Sequence, residues 1–171
     1  LKDIGYYFAD LETIVESLDN NLVRVIHDIE LGNKAKIKKI SFIGNKFFKD
    51  SKLRGLIVSE EYKFWKIISG RKFLNEQVIN LDKRLLKNFY LNKGYYNVEI
   101  NTSFAKLLND KEFELIFNIN ANEKVYFNNL ALIIPDDFDL NNFTELNKLF
   151  EELKGKFYSI NTVNKILDEL D

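Results

Sequence analysis

His27 is the single imidazole of this chain, and imidazole is the side chain best suited to carry a proton or bind a metal near neutral pH. The rest of the sequence gives it nothing to work with. There is no cysteine and no second histidine, so no mixed nitrogen and sulfur ligand set can form. No nucleophile and base, or matched pair of carboxylates, can be assigned either. Asp136-Asp137-Phe138-Asp139 packs three carboxylates into four residues. It lacks the spaced oxygen ligands and bidentate glutamate of a calcium loop, and reads instead as acids placed near a helix start. Gly70-Arg71-Lys72 is a basic loop without the spacing of a phosphate-binding loop or a dinucleotide fingerprint. These residues predict no enzyme, no cofactor and no metal.

What remains is chemistry of the main chain. From Tyr95 to Ala105 the sequence alternates: Tyr96, Val98, Ile100, Thr102 and Phe104 on one face, Tyr95, Asn97, Glu99, Asn101 and Ser103 on the other. Such alternation predicts a strand with one face in the core and one in water. An exposed strand edge offers unpaired N–H and C=O groups to any extended peptide. Tyr95, Asn97, Val98, Glu99, Ile100, Asn101, Thr102 and Ser103 are therefore the candidate peptide-binding edge. Within it Tyr96 is expected in the core and Tyr95 on the sheet surface. Phe64 and Trp65 are expected to pack down within a long connection between helices.

The elements that must position this edge occur twice. Gly5-Tyr6-Tyr7 recurs as Gly94-Tyr95-Tyr96, 89 residues on, each copy followed by alternation, a polar turn and a second apolar strand. Gly70-Arg71-Lys72-Phe73, with Val78, Leu81 and Leu85, recurs as Gly155-Lys156-Phe157-Tyr158 with Val163, Ile166 and Leu170, 85 residues on. Two copies cut at different points indicate a tandem array. Residues 6–16 and Leu22–Ile26 predict a hairpin, and Ile37–Ile43 a strand closed by Gly44-Asn45. Asp50 is the expected N-cap of a short helix carrying Leu53, Leu56 and Ile57. Asn75 caps a longer one whose apolar stripe is Val78, Leu81, Leu85 and Phe89, with Lys83, Arg84 and Lys87 on other faces, ending at Lys93-Gly94. Phe113, Leu115, Phe117 and Ile119 mark the return strand.

The order from Ala35 to Ala121 is thus β-α-α-β-β, an α+β unit with two antiparallel helices on one face of a three-stranded mixed sheet. The pattern restarts at Tyr126-Phe127 with a strand through Leu130–Ile134, ended by Pro135. A helix follows from about Asn141 to Leu153, and another after Ser159. The expected division is residues 1–33 as the hairpin of a preceding unit, 34–122 as a complete unit, and 123–171 as the β-α-α part of a following one. Hinges fall at Gly32 and Asn33, and at Asn122 and Glu123. The uncovered faces of the two incomplete parts are expected to associate between molecules or fray.

Ile40-Ser41-Phe42-Ile43-Gly44-Asn45, Phe64-Trp65…Gly70-Arg71-Lys72-Phe73 and Leu81-Asp82…Leu85-Leu86…Phe89-Tyr90-Leu91-Asn92-Lys93-Gly94-Tyr95 resemble the polypeptide-transport-associated (POTRA) repeats of BamA-type outer-membrane β-barrel assembly factors, the third repeat most of all. Asn120-Ala121-Asn122-Glu123 departs from the acidic residue and glycine such repeats carry there. The resemblance implies a periplasmic scaffold at the outer membrane, whose only membrane contact would be a C-terminal barrel. Its implied partners are unfolded outer-membrane β-barrel proteins and accessory lipoproteins. Two alternatives stay open: a POTRA module of a secretion or translocation pore with one dedicated substrate, or a structural periplasmic protein with a single repeat, against which the tandem copies argue. A net charge of −1 gives no general attraction to nucleic acid, and no apolar run approaches the ~20 residues of a transmembrane helix.

Overall fold

Asn20 and Asn21 both adopt positive φ, 63° and 57°, the backbone of a tight turn whose twist suits antiparallel strands. They join β1 (Asp10–Leu18) to β2 (Leu22–Glu30), paired from Asp10↔Glu30 to Leu18↔Leu22. The computed structural model describes residues 1, 5–65, 70–106, 111–135, 139 and 143–169. The pairing puts Leu11, Thr13 and Val15 on one face of the hairpin with Val25, His27 and Ile29 opposite. Both faces are exposed. His27 Nδ1 lies 2.9 Å from the hydroxyl of its cross-strand neighbour Thr13, both on an exposed face of the hairpin.

A second sheet has the order β3 (Lys36–Asn45), β5 (Glu112–Asn120), β4 (Glu99–Lys106), with β3 parallel and β4 antiparallel to the central β5. Ile37 and Ile40 are both buried although three residues apart. A break in register between Ile37 and Lys39 restores them to one face. They pack with Phe42 and with Phe113, Leu115, Phe117 and Ile119 of β5. Two helices cover this face, α1 (Asp50–Arg54) through Leu53 and α2 (Glu76–Leu91). The expected α+β unit with a mixed sheet is what forms. On the other face the Ser41 hydroxyl, and then Lys39 at 2.9 Å, hold the Glu114 carboxyl below its ordinary range.

Several local expectations change. Lys49 is the N-cap of α1 and makes no side-chain cap bond; Asp50 is the first helical residue and pairs with Lys46. Asn75 does cap α2, its Oδ1 accepting from the Val78 N–H at 3.0 Å. The helix ends at Leu91, two residues before Lys93, and Gly94 follows at φ 95°. Its innermost stripe is Ile79, Asp82, Leu86 and Tyr90, one position round from the expected Val78, Leu81, Leu85 and Phe89, which are half-buried. The displaced stripe is explained by Asp82. Its carboxylate accepts from the N–H groups of Val58 at 2.6 Å and Ser59 at 3.2 Å, so a polar residue occupies the centre of the buried face.

Phe64 and Trp65 do not pack down: they stack edge-to-face on each other and are 76% and 64% exposed. Ile67 and Ile68 lie outside the described residues. The strand expected through Leu130–Ile134 is not formed. Only an isolated bridge, Tyr126↔Phe157, marks that region, and Ile133 is 94% exposed. A parallel strand needs a partner such as β5 gives β3, and none reaches this segment among the described residues. The helices do form, α3 (Thr144–Leu153) and α4 (Ile160–Asp168), the latter capped by Ser159. The bridge and the caps put the second repeat spacing at 84 rather than 85 residues, matching Phe73 with Phe157 and Asn75 with Ser159.

Burial raises the Asp82 carboxyl above its ordinary range, only partly opposed by its hydrogen bonds to Ser59 and Val58. A raised acid favours the folded state most while it is protonated, so this contribution is full below about pH 4 and is lost as pH rises through the folded pKa. Asp82→Asn should therefore gain on the unaltered protein between about pH 4 and neutrality. Asp82→Ala, which strands two N–H groups, should cost about 2–4 kcal/mol at about pH 4 and less as pH rises through the folded pKa. Urea unfolding at several pH values checks both; a pH-independent difference for Asp82→Asn would refute the assignment.

Candidate strand-addition edge

Of the two outer strands in the second sheet, one is already covered. The connection after α1 lies along β3: the Tyr62 N–H donates to the Ile37 carbonyl at 2.6 Å and the Leu74 N–H to the Ala35 carbonyl at 2.9 Å. Lys36 and Phe73 form a bridge. Glu61 accepts from the Ile40 N–H at 3.0 Å while Arg54, itself paired with Glu61, donates to the Ile40 carbonyl at 2.9 Å. Lys46 donates to the Phe42 carbonyl at 2.6 Å. β3 is thereby closed to a newcomer. Along β4, among the described residues, no hydrogen bond reaches the backbone from outside the sheet.

The sequence-derived site residues divide accordingly. Glu99, Ile100, Asn101, Thr102 and Ser103 lie on β4, with Glu99, Asn101 and Ser103 exposed and Ile100 turned into the core. Tyr95, Asn97 and Val98 precede the strand. The tyrosines exchange their expected places: Tyr95 is 5% exposed, against 54% for Tyr96. A turn closed by the Val98 N–H and the Tyr95 carbonyl, 3.3 Å, interrupts the alternation here and sends Tyr95 inward. Tyr95 stacks on Phe47 with ring centroids 4.9 Å apart and meets Tyr90 edge-on. Burial pushes the Tyr90 phenol up to about 12, and both tyrosines belong to the hydrophobic core.

A groove of about 870 Å³ runs between α2 and β4, lined by Gln77, Asn80, Lys83, Arg84, Lys87 and residues 98–101. A second, of about 1000 Å³, continues past Lys87, Val98 and Glu99 to Tyr96 and Lys124. The sequence reading placed Lys83, Arg84 and Lys87 on other faces of α2 but did not join them, with Gln77 and Asn80, to the β4 edge. The signal of that polar flank was the helical spacing Gln77, Asn80, Arg84, Lys87, hidden because attention to a helix falls on its apolar stripe. Asp139 and the rest of the described acids assemble no metal-binding group, Asp136, Asp137 and Phe138 lie outside the described residues, and no described helix is long and apolar enough to cross a membrane.

The family model described as POTRA, surface antigen variable number repeat, matches residues 35–122. The chain belongs to the POTRA family. It is 24% identical over 172 residues to the outer membrane protein assembly factor BamA of Buchnera aphidicola, covering 98% of this chain and 27% of that protein. It is 29% identical to BamA of Neisseria meningitidis, covering 91% and 19%. The chain therefore spans about a quarter or less of the length of these relatives. Among solved structures it is similar to Haemophilus influenzae BamA POTRA3-5, with a TM-score of 0.62, 17% identity, and coverage of 99% of this chain and 64% of that one.

At both ends of the matched POTRA region the same joint is built. The Ala35 N–H donates to the Gly5 carbonyl at 3.1 Å, and the Val125 N–H to the Gly94 carbonyl at 2.8 Å. Lys34 lies over the rings of Tyr6 and Phe73, and Lys124 over those of Tyr95 and Phe157. Gly32 and Asn122, 90 residues apart, both hold positive φ, 61° and 55°. Asn122 also donates to the Asn97 carbonyl at 2.7 Å. Asn33 and Glu123, beside them, are both exposed.

Gly94 sits at φ 95°, and a Cβ there would come within 3.1 Å of the Phe157 Cβ. Gly94→Ala should lower stability by about 1–2 kcal/mol through the left-handed backbone alone. Gly70→Ala, where a Cβ meets nothing within 4 Å, should be nearly neutral. Chemical denaturation of the two variants makes the comparison, and equal effects would count against the joint.

Proposed function

We propose that this chain is a run of periplasmic POTRA repeats from an outer-membrane β-barrel assembly factor. Its β4 edge takes up strands of unfolded barrel proteins by β-augmentation. It divides into the hairpin of one repeat (1–33), a complete repeat (34–122) and the opening of the next (123–171), with hinges at Gly32–Asn33 and Asn122–Glu123. It acts at the periplasmic face of the outer membrane and docks accessory lipoproteins as a scaffold, without covalent chemistry. The observation that carries strand addition is the asymmetry of the sheet: β3 is sealed by its own connection, while β4 is bare beside a groove. The names of the BamA relatives favour assembly over a dedicated secretion pore.

Main-chain pairing suits clients that share alternation but not sequence, since backbone groups are the same in all of them. Among the described residues the side chains lining the groove at this edge are polar or charged except Val98 and Ile100, which are buried. A single peptide should therefore bind at micromolar affinity or weaker, about −8 kcal/mol at most. Retention would come from several repeats acting together.

Backbone N–H groups two residues apart in a strand point the same way, so Pro at Asn101 and Pro at Thr102 sample the two rows, one facing β5 and one facing out. The outward-facing substitution should leave the circular dichroism of the fold intact and weaken an unfolded barrel-strand peptide by about ten-fold. In an NMR titration the same peptide should shift the amides of Glu99–Ser103 and spare those of β3. Unchanged affinity in both folded variants would rule this edge out.

A further inference from the structure

We propose that the groove between α2 and β4 selects extended segments carrying acidic side chains at alternate positions, read by Lys83, Arg84 and Lys87. This rests on strand addition at β4 and adds a charge code to it. A strand laid against β4 continues the sheet, so every second side chain points toward the face that α2 covers. There it meets the α2 flank of Gln77, Asn80, Lys83, Arg84 and Lys87. Among the described residues none of these three cations forms an ion pair, and Glu99 is the one acid lining the groove. Val98 and Ile100 form its floor but are buried, so they offer an incoming side chain little to grip. What distinguishes one incoming side chain from another here is the charge of the flank.

The spacing fits. Gln77 to Lys87 spans about 15 Å along the helix, the length of about five strand residues at ~3.3 Å each. Two or three client side chains therefore face α2. Lys83 and Lys87 are one turn apart, about 6 Å in rise, against about 6.7 Å between strand residues i and i+2. Long, flexible cationic side chains absorb the difference. Acids at i and i+1 would point to opposite faces, and only one could be met. The two amides, Gln77 and Asn80, lie toward the N-terminal end of the flank, so the acids should sit toward the opposite end, where Lys87 lines both grooves.

The test uses the whole chain and three labelled twelve-residue peptides on one alternating Val/Thr background: Glu at i and i+2, Glu at i and i+1, and Lys at i and i+2. By fluorescence anisotropy at low salt, the first should bind about ten-fold more tightly than the third and about three-fold more tightly than the second, with the differences gone by about 0.5 M salt. The combined variant Lys83→Gln, Arg84→Gln, Lys87→Gln should bring all three to one weak level; should it unfold, Lys87→Gln alone should narrow the spread. Equal binding of the three peptides to the unaltered chain, or a preference that survives the substitutions, overturns the charge code and leaves strand addition standing. Absence of binding by all three, with no shift of β4 amides, overturns strand addition and the charge code with it.

Discussion

The parallel pairing of β3 with β5 is the constraint from which the rest of the matched unit follows. A parallel pair cannot be closed by a tight turn and needs a long crossover, and here α1, α2 and the whole of β4 lie between the two strands in sequence. Placing β5 in the centre buries Phe113, Leu115, Phe117 and Ile119 against both helices. It also leaves β4 with a partner on one side only. The bare edge is thus a product of topology, and no special residue was needed to make it.

The same topology disposes of the second edge. The connection from α1 to α2 must run back beside β3, and it uses the opportunity to hydrogen-bond that strand at Ala35 and Ile37. Arg54 and Glu61 satisfy Ile40 from the same side. Asp82 fastens the start of this connection to α2 through the Val58 and Ser59 N–H groups. A buried carboxylate of this kind is costly in isolation and worthwhile only because it accepts bonds that would otherwise be missing.

The elements legible in the sequence were those with a strong local signal: the polar turn of the first hairpin, the Asn75 and Ser159 caps, the alternation of β5 and the glycine before β4. Errors arose where local pattern and tertiary context diverged. The α2 stripe was set one residue off because Asp82 looks like a surface residue until its loop partners are known. Tyr95 and Tyr96 were exchanged because alternation was extended back through a turn. The strand near Leu130–Ile134 was expected from composition, but strand pairing is not local and its partner is not beside it. The β4 edge could be inferred from alternation, whereas the cationic flank beside it depends on how a helix is rotated against a sheet.

Lys34 and Lys124, with Gly5 and Gly94, give the two ends of the matched region the same joint. If the proposed repeats are joined alike at every step, the array they form is a screw: whatever turn and advance relate one body to the next is applied again. Small departures at a joint then accumulate along the axis instead of averaging out. The pitch of such an array, and the direction in which each bare edge points around it, would be written in a lysine, two rings and a glycine per repeat. The bodies themselves could vary in sequence without altering it.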